Sequence, residues 1–173
     1  MRRFVEAPGR LFAGVLACTF IGVSVAAPAA GIPSTGPYPD IAKYQPVSNI
    51  FNYIVTDRDG IWFTTPEGVY CAIEDDGSYG CSGDLPGAPP GENEVAWFVG
   101  DPFPRLYHTD EPRFNSGTRQ TILIGETYLD YRGSRCAVNR ESAVYCIRGG
   151  DPNSQLMVST TMTWRGSDAT SST

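Results

Sequence analysis

One cysteine spacing occurs twice in this chain: Cys71 and Cys81 are separated by nine residues, and so are Cys136 and Cys146. Each pair is flanked by strand-forming residues, Val69-Tyr70-Cys71-Ala72-Ile73 and Ser78-Tyr79-Gly80-Cys81 in the first, Ser134-Arg135-Cys136-Ala137-Val138 and Ala143-Val144-Tyr145-Cys146-Ile147 in the second. Each segment therefore reads as a β-hairpin. In the first, Asp75-Asp76-Gly77 has the composition of a three-residue loop whose glycine takes the left-handed conformation. That loop sets Glu74 against Ser78, Ile73 against Tyr79 and Cys71 against Cys81, whereas a two-residue Asp76-Gly77 turn would place Cys81 opposite Ala72. In the second, a loop of three or five residues around Glu141 again opposes Cys136 and Cys146. Opposed residues of a non-hydrogen-bonded pair lie close enough to bridge, so the spacing favours Cys71 with Cys81 and Cys136 with Cys146. Zinc is the competing use of the four cysteines, but metal knuckles space their ligands more tightly and His108 is the only histidine. No metal and no cofactor is expected.

A disulfide framework presupposes export, and the amino-terminal residues supply the means. Arg2, Arg3 and Arg10 precede an apolar or small run from Leu11 to Val25, followed by Ala26-Ala27-Pro28-Ala29-Ala30. These are the three regions of a secretory signal over residues 1–29, with cleavage after Ala26 or Ala29. The apolar run is shorter than the ~18 residues expected of a spanning helix, so no membrane association is expected once the signal is removed. Cys18 stands in a loose lipobox, Val15-Leu16-Ala17-Cys18, but the residues after it continue the apolar run instead of opening a polar tether. Removal of the signal takes three arginines and one glutamate, moving the net charge from −6 to −8. So acidic a chain lacks the electrostatic footprint of a nucleic-acid binder.

The rest of the chain divides by composition. Residues 30–47 are rich in proline and glycine and read as a tether or an ordered arm. Residues 48–165 carry short β-rich runs separated by turn signals, among them Phe51 to Thr56, Ile61 to Thr65, Val95 to Val99, Thr127 to Tyr131 and a long last run from Gln155 to Trp164. No window shows helical periodicity. An all-β sandwich or small barrel of short antiparallel strands, with two disulfide-braced hairpins, is the expected fold. Residues 166–173 are small and polar and read as a flexible tail.

Phe63-Thr64-Thr65-Pro66-Glu67-Gly68-Val69-Tyr70-Cys71 resembles a pattern Phe-x-Thr/Ser-Pro-x-Gly-x-x-Cys, followed by a short hairpin to a second cysteine. Gly133 to Cys146, with its Glu141-Ser142 loop, resembles the later half of the same family. That family is a group of small exported actinobacterial proteins, of mycobacterial type, without an assigned function. Over about residues 60–165, the resemblance implies a secreted or envelope-associated β domain and supplies no catalytic residue.

Tests for chemistry return little. A catalytic triad or Cys-His pair would have to use His108, and no Gly-x-Ser-x-Gly elbow occurs. Asp57-Arg58-Asp59-Gly60 departs from a calcium loop in its glycine and its missing closing glutamate. Paired carboxylates among Asp57, Asp59, Glu74, Asp75, Asp76 and Asp84 would suit a glycosidase-like secreted hydrolase, although most of them lie where aspartate serves turns. The alternative is a non-enzymatic module that binds an envelope component or extracellular ligand. Its surface would be the proline-rich loop Gly83 to Asn93 with neighbouring aromatics, and Trp97, Trp62 and Asp84 are its candidate contacts.

Overall fold

A computed structural model of the protein describes residues 37–167 and residues 170–171. The expected signal at residues 1–29, with Cys18, and the first part of the arm, 30–36, lie outside the described residues. No α-helix occurs among the described residues, which form thirteen short strands and three single 3-10 turns. In chain order the strands are β1 (Gln45–Pro46), β2 (Ile61–Thr64), β3 (Tyr70–Ile73), β4 (Tyr79–Ser82), β5 (Glu94–Trp97), β6 (Arg105–Tyr107), β7 (Thr121–Ile122), β8 (Thr127–Tyr131), β9 (Ser134–Val138), β10 (Val144–Arg148), β11 (Leu156–Val158), β12 (Thr163–Arg165) and β13 (Thr170–Ser171).

They make two open sheets and no closed barrel. One runs β7-β2-β3-β4-β5-β6 and the other β1-β8-β9-β10-β11-β12-β13. Each is an antiparallel meander with one parallel strand at its edge: β7 beside β2, and β1 beside β8. The edge strands are exchanged. β1 precedes the first meander but pairs with the second, while β7 precedes the second and pairs with the first.

Both hairpins have the expected register. Glu74 N–H donates to the Ser78 carbonyl, Gly77 has φ +89°, and Cys71 stands opposite Cys81. The second loop has the same three-residue form, with Asn139 facing Ala143 and Ser142 in the left-handed position at φ +64°. The disulfides are Cys71–Cys81 and Cys136–Cys146, each with Cα atoms 4.1 Å apart. Two such bridges suit an oxidising compartment. Among the described residues no helix is long and apolar enough to cross a membrane.

Alternation along the strands directs both disulfides inward. With Phe63, Ile73, Tyr79, Val95, Leu129, Val138, Val144 and Leu156 they form one buried core between the sheets. The sheets are also tied at one end through the hairpin loops. Tyr131 O–H and Arg132 donate to Asp75 at 2.6 and 2.7 Å, and Ser134 O–H donates to the Gly77 carbonyl at 2.5 Å.

Each outer face is covered by a strap leading into the exchanged strand. Tyr38 packs on Tyr145 of β10 at 5.5 Å between ring centroids and donates to the Gly166 carbonyl. Phe114, at the same spacing before β7 as Tyr38 before β1, lies over Gly80 of β4 beside Trp62, Ala72 and Ala96.

Two expected strands take other forms. Phe51 to Thr56 is not a strand: Asn49 caps a 3-10 turn at Ile50–Tyr53 that buries Tyr53 and leaves Phe51 and Ile54 75% and 53% exposed. The run from Gln155 to Trp164 breaks into β11 and β12 because Ser159 Oγ accepts from the N–H groups of Thr161 and Met162 and bends the chain back. Residues expected in the arm and tail also pair, Gln45 with Thr127 and Thr170 with Arg165.

Candidate functional site

Strand β5 places Val95 and Trp97 in the core, so Glu94 and Ala96 point to the other face, with Phe98 following them. That face would be solvent if the segment between β6 and β7 looped outward. Instead the segment runs back across the sheet, and Arg113 and Phe114 dock beside β4 and β5. Glu94 is thereby 0% exposed. Its Oε1 accepts the Ser82 hydroxyl at 2.6 Å and the backbone N–H of Arg113. Ser82 Oγ in turn accepts the Phe114 N–H at 3.0 Å. Oε2 is buried and accepts no hydrogen bond of ordinary geometry among the described residues.

Beside this carboxylate opens a cleft of about 660 Å³. Phe98 and Tyr107 supply its aromatic wall, and Arg58, Arg105 and Arg113 its cationic one. The Arg105 and Arg113 guanidinium carbons lie 5.2 and 4.9 Å from the centre of the Phe98 ring. Both cations are already matched: Arg105 is bidentate to Asp101 and Arg113 to Glu74, with all four bonds at 2.8 Å. Arg58 has no acidic partner among the described residues. It sits 5.1 Å over the Trp62 ring and donates one N–H to the Arg113 carbonyl. Burial first, and then a hydrogen bond to the adjacent Glu94 carboxylate, raise the Tyr107 pKa and keep its hydroxyl protonated as a donor to that carboxylate. Compared with known protein families, with curated proteins and with solved structures, the chain matches none.

The residues singled out from sequence are distributed around this cleft without forming it. Trp97 is 7% exposed, stacks on Tyr79 inside the sandwich and donates Nε1–H to the Asp101 carbonyl. Trp62 is 2% exposed on the opposite face of the same sheet and donates to the Asp59 carbonyl. Back to back and covered, the two indoles make no joint stacking platform, although Trp62 holds Arg58 in place. Asp84 lies apart from both, at a smaller recess of about 240 Å³ with Glu67, Ser142 and Ser159.

The candidate carboxylates have local partners. Asp75 joins the two sheets, and hydrogen bonds from Tyr131 and then Arg132 lower its pKa. Asp76 accepts from Ser78 within its own turn. Glu74 holds Arg113. His108 faces the Gly91 carbonyl at 2.6 Å and Asp110 at 3.2 Å, and these acceptors, in that order, raise its pKa. No group of three or more metal-ligating side chains gathers among the described residues.

Sequence reasoning did not single out Glu94, because an outward-facing glutamate on a short strand ordinarily meets water. The usable signal was the length of the turn-rich segment from His108 to Gln120 around a lone Phe114. A segment that long and that apolar at its centre can cover a sheet face and bury what lies beneath it.

Proposed function

We propose that this chain is an exported, non-enzymatic β domain that acts as a binding module outside the cell or in the envelope, with the Glu94–Arg105–Arg113 cleft as its contact site. The observation that carries the reading is the contrast between the two sheets at matched positions. Aligned through the disulfides, Glu94 corresponds to Gln155, Ala96 to Met157 and Arg105 to Trp164. On the second sheet Met157 and Trp164 belong to an apolar cluster under the Tyr38 strap. One strap is thus sealed by apolar packing and the other encloses charge, so the charged cleft is not a requirement of the fold. Concave sites with an aromatic wall and a few fixed polar groups are where ligands bind.

The export signal and the resemblance to small exported actinobacterial proteins support the location. Peptide mapping of protein from the medium and envelope fractions tests it: an amino terminus between Ala27 and Gly31 is expected, and an intact signal in an intracellular pool refutes export. Binding is tested by amide-shift mapping against extracellular small molecules. Shifts centred on Phe98, Arg105 and Arg113, weakened by Arg105→Gln, are expected; shifts centred on the Asp84 recess would move the site.

Two carboxylates, Glu94 and Glu111, line the cleft, and on this a second reading as a secreted hydrolase rests. It requires turnover of a glycoside by the wild type and its loss in Glu94→Gln.

A further inference from the structure

We infer that the outer edge of β7 is a self-association surface, where a second copy of this chain pairs antiparallel about a two-fold axis with Ile122 facing Ile122. The two open sheets have four outer edges, β1, β6, β7 and β13. An unpaired edge is a template for another strand, and proteins blunt it with proline or charge. β1 ends in Pro46, which has no N–H, while β6 follows Pro104 and opens with Arg105. β13 offers only Thr170 and Ser171 among the described residues. β7 and the residues after it, Thr121-Ile122-Leu123-Ile124, carry neither device.

The backbone of β7 is oriented for that pairing. Thr64 of β2 stands opposite Ile122, and its carbonyl accepts the Leu123 N–H at 2.9 Å. In such a parallel ladder the β7 groups turned toward β2 are those of Thr121 and Leu123, and the N–H and C=O of Ile122 both face outward. Neither has a partner among the described residues. Two opposed residues of an antiparallel pair can exchange both bonds, so Ile122 facing its own copy satisfies all four groups at once. The contact is self-complementary, as a two-fold interface must be.

Side chains and charge favour the same partner. Leu123 is buried in the core, so alternation turns Ile122 to the other face, where it is 50% exposed, and Ile124 is 63% exposed. Thr121 Oγ1 donates to the Asn52 carbonyl at 2.6 Å, which ties the 3-10 turn carrying Phe51 to the edge. Of the six large apolar side chains left exposed among the described residues, four, Phe51, Ile54, Ile122 and Ile124, belong to the two segments joined by that bond. Residues 41–56 and 112–125, which supply both segments, contain none of the 19 acidic residues of the chain. Two copies of an acidic protein can therefore meet here without repulsion. A bilayer would cover the isoleucines but leave the Ile122 N–H and C=O without partners. The cleft lies toward β5 and β6, at the opposite edge of the sheet, so the pairing does not draw on it.

Sedimentation velocity on the purified protein with both disulfides intact, from low micromolar to millimolar concentration, tests the pairing. A contact of this kind belongs to the small end of specific interfaces, roughly 1,000 Å² in total, so a dimer that dissociates in the micromolar range is expected. Ile122→Lys sets a charge against its own copy and should weaken the dimer about tenfold or more. Because Ile122 is half exposed in the monomer, thermal unfolding of the variant should stay close to that of the wild type. In a mixture of isotope-labelled and unlabelled wild type, an intermolecular Hα–Hα contact is expected between Thr121 of one copy and Leu123 of the other, the pair that a two-fold through Ile122 sets opposite. That contact needs no variant and decides the matter even if Ile122→Lys fails to fold. A protein that stays monomeric at millimolar concentration would overturn the proposal, as would a dimer that Ile122→Lys leaves intact. Intermolecular contacts at Val99 and Phe103, the other exposed apolar pair, would also overturn it, and so would binding to neutral phosphatidylcholine vesicles without dimerisation.

Discussion

Replacing Gly80 with alanine probes the contact on which the first strap depends. A Cβ built at Gly80 would clash with the Cε2–Cζ edge of the Phe114 ring and fall 2.6 Å from the Val95 carbonyl oxygen. Phe114 is fully buried and can retreat only by lifting the strap, while the Val95 carbonyl belongs to the neighbouring strand. Relief by a rotamer change alone is therefore closed. Overpacking of a well-filled core costs about 1–3 kcal/mol, and the gain from replacing a strand glycine returns roughly 0.5–1 kcal/mol, leaving a net loss of about 1 kcal/mol. Phe114→Ala alone should cost about 3–5 kcal/mol, as for other buried phenylalanines. In that background the added methyl meets vacated space and only the carbonyl conflict survives, so the pair should be less destabilised than the sum by about 1 kcal/mol or more. Urea unfolding of the four proteins with disulfides intact measures the cycle. A loss below about 0.5 kcal/mol for Gly80→Ala, or additivity within that margin, would refute the strap-on-glycine packing.

Three further outcomes are expected. Each disulfide closes a loop with a sequence separation of 10, for which chain entropy gives about 2.7 kcal/mol; replacing either pair by alanines should cost at least that in urea melts, and a loss under about 1 kcal/mol would show that the unfolded hairpins are already closed. Asp75 has its pKa lowered from 3.8 by Tyr131 and Arg132, so its contribution is whole above 3.8 and disappears as pH falls through the lower folded value; Asp75→Asn should flatten the acid limb of the stability profile there, and an unchanged limb would count against the clamp. His108 has its pKa raised from 6.5, by the Gly91 carbonyl and then by Asp110, so what it adds is present below 6.5 and is lost as pH rises through the raised value. An NMR titration should place its midpoint above 6.5 in the wild type, with Asp110→Asn lowering it only in part because the larger influence remains; a wild-type midpoint at or below 6.5 would contradict the arrangement.

What could be read from the sequence was set by neighbours along the chain. The hairpins, their loops and both disulfides follow from turn chemistry within a few residues of Gly77 and Glu141, and the all-β class follows from the same short-range pattern. The exchange of β1 and β7 could not be read, because each contributes two residues whose pairing partner lies far along the chain. The fold of Gln155 to Trp164 was hidden by Ser159, whose side chain turns an apparently continuous alternation into two strands. Trp62 and Trp97 were recognisable as aromatics on alternating strands, but alternation says which residues share a face and not whether that face is covered. The burial of Glu94 depends on Arg113 and Phe114 returning across the sheet, a tertiary event with no trace in the residues around Glu94 itself.

The exchanged straps also govern how the molecule comes apart. A cut between Tyr107 and His108 gives one fragment that carries the Tyr38 strap and the first meander, and another that carries the Phe114 strap and the second. Each fragment would hold the cover of the other's sheet and expose its own, so neither is a finished piece. A single proteolytic nick in that linker leaves the product interlocked, and its halves separate only when the shared core and both straps open together. Turnover is then all or none, with no stable half-molecule released along the way.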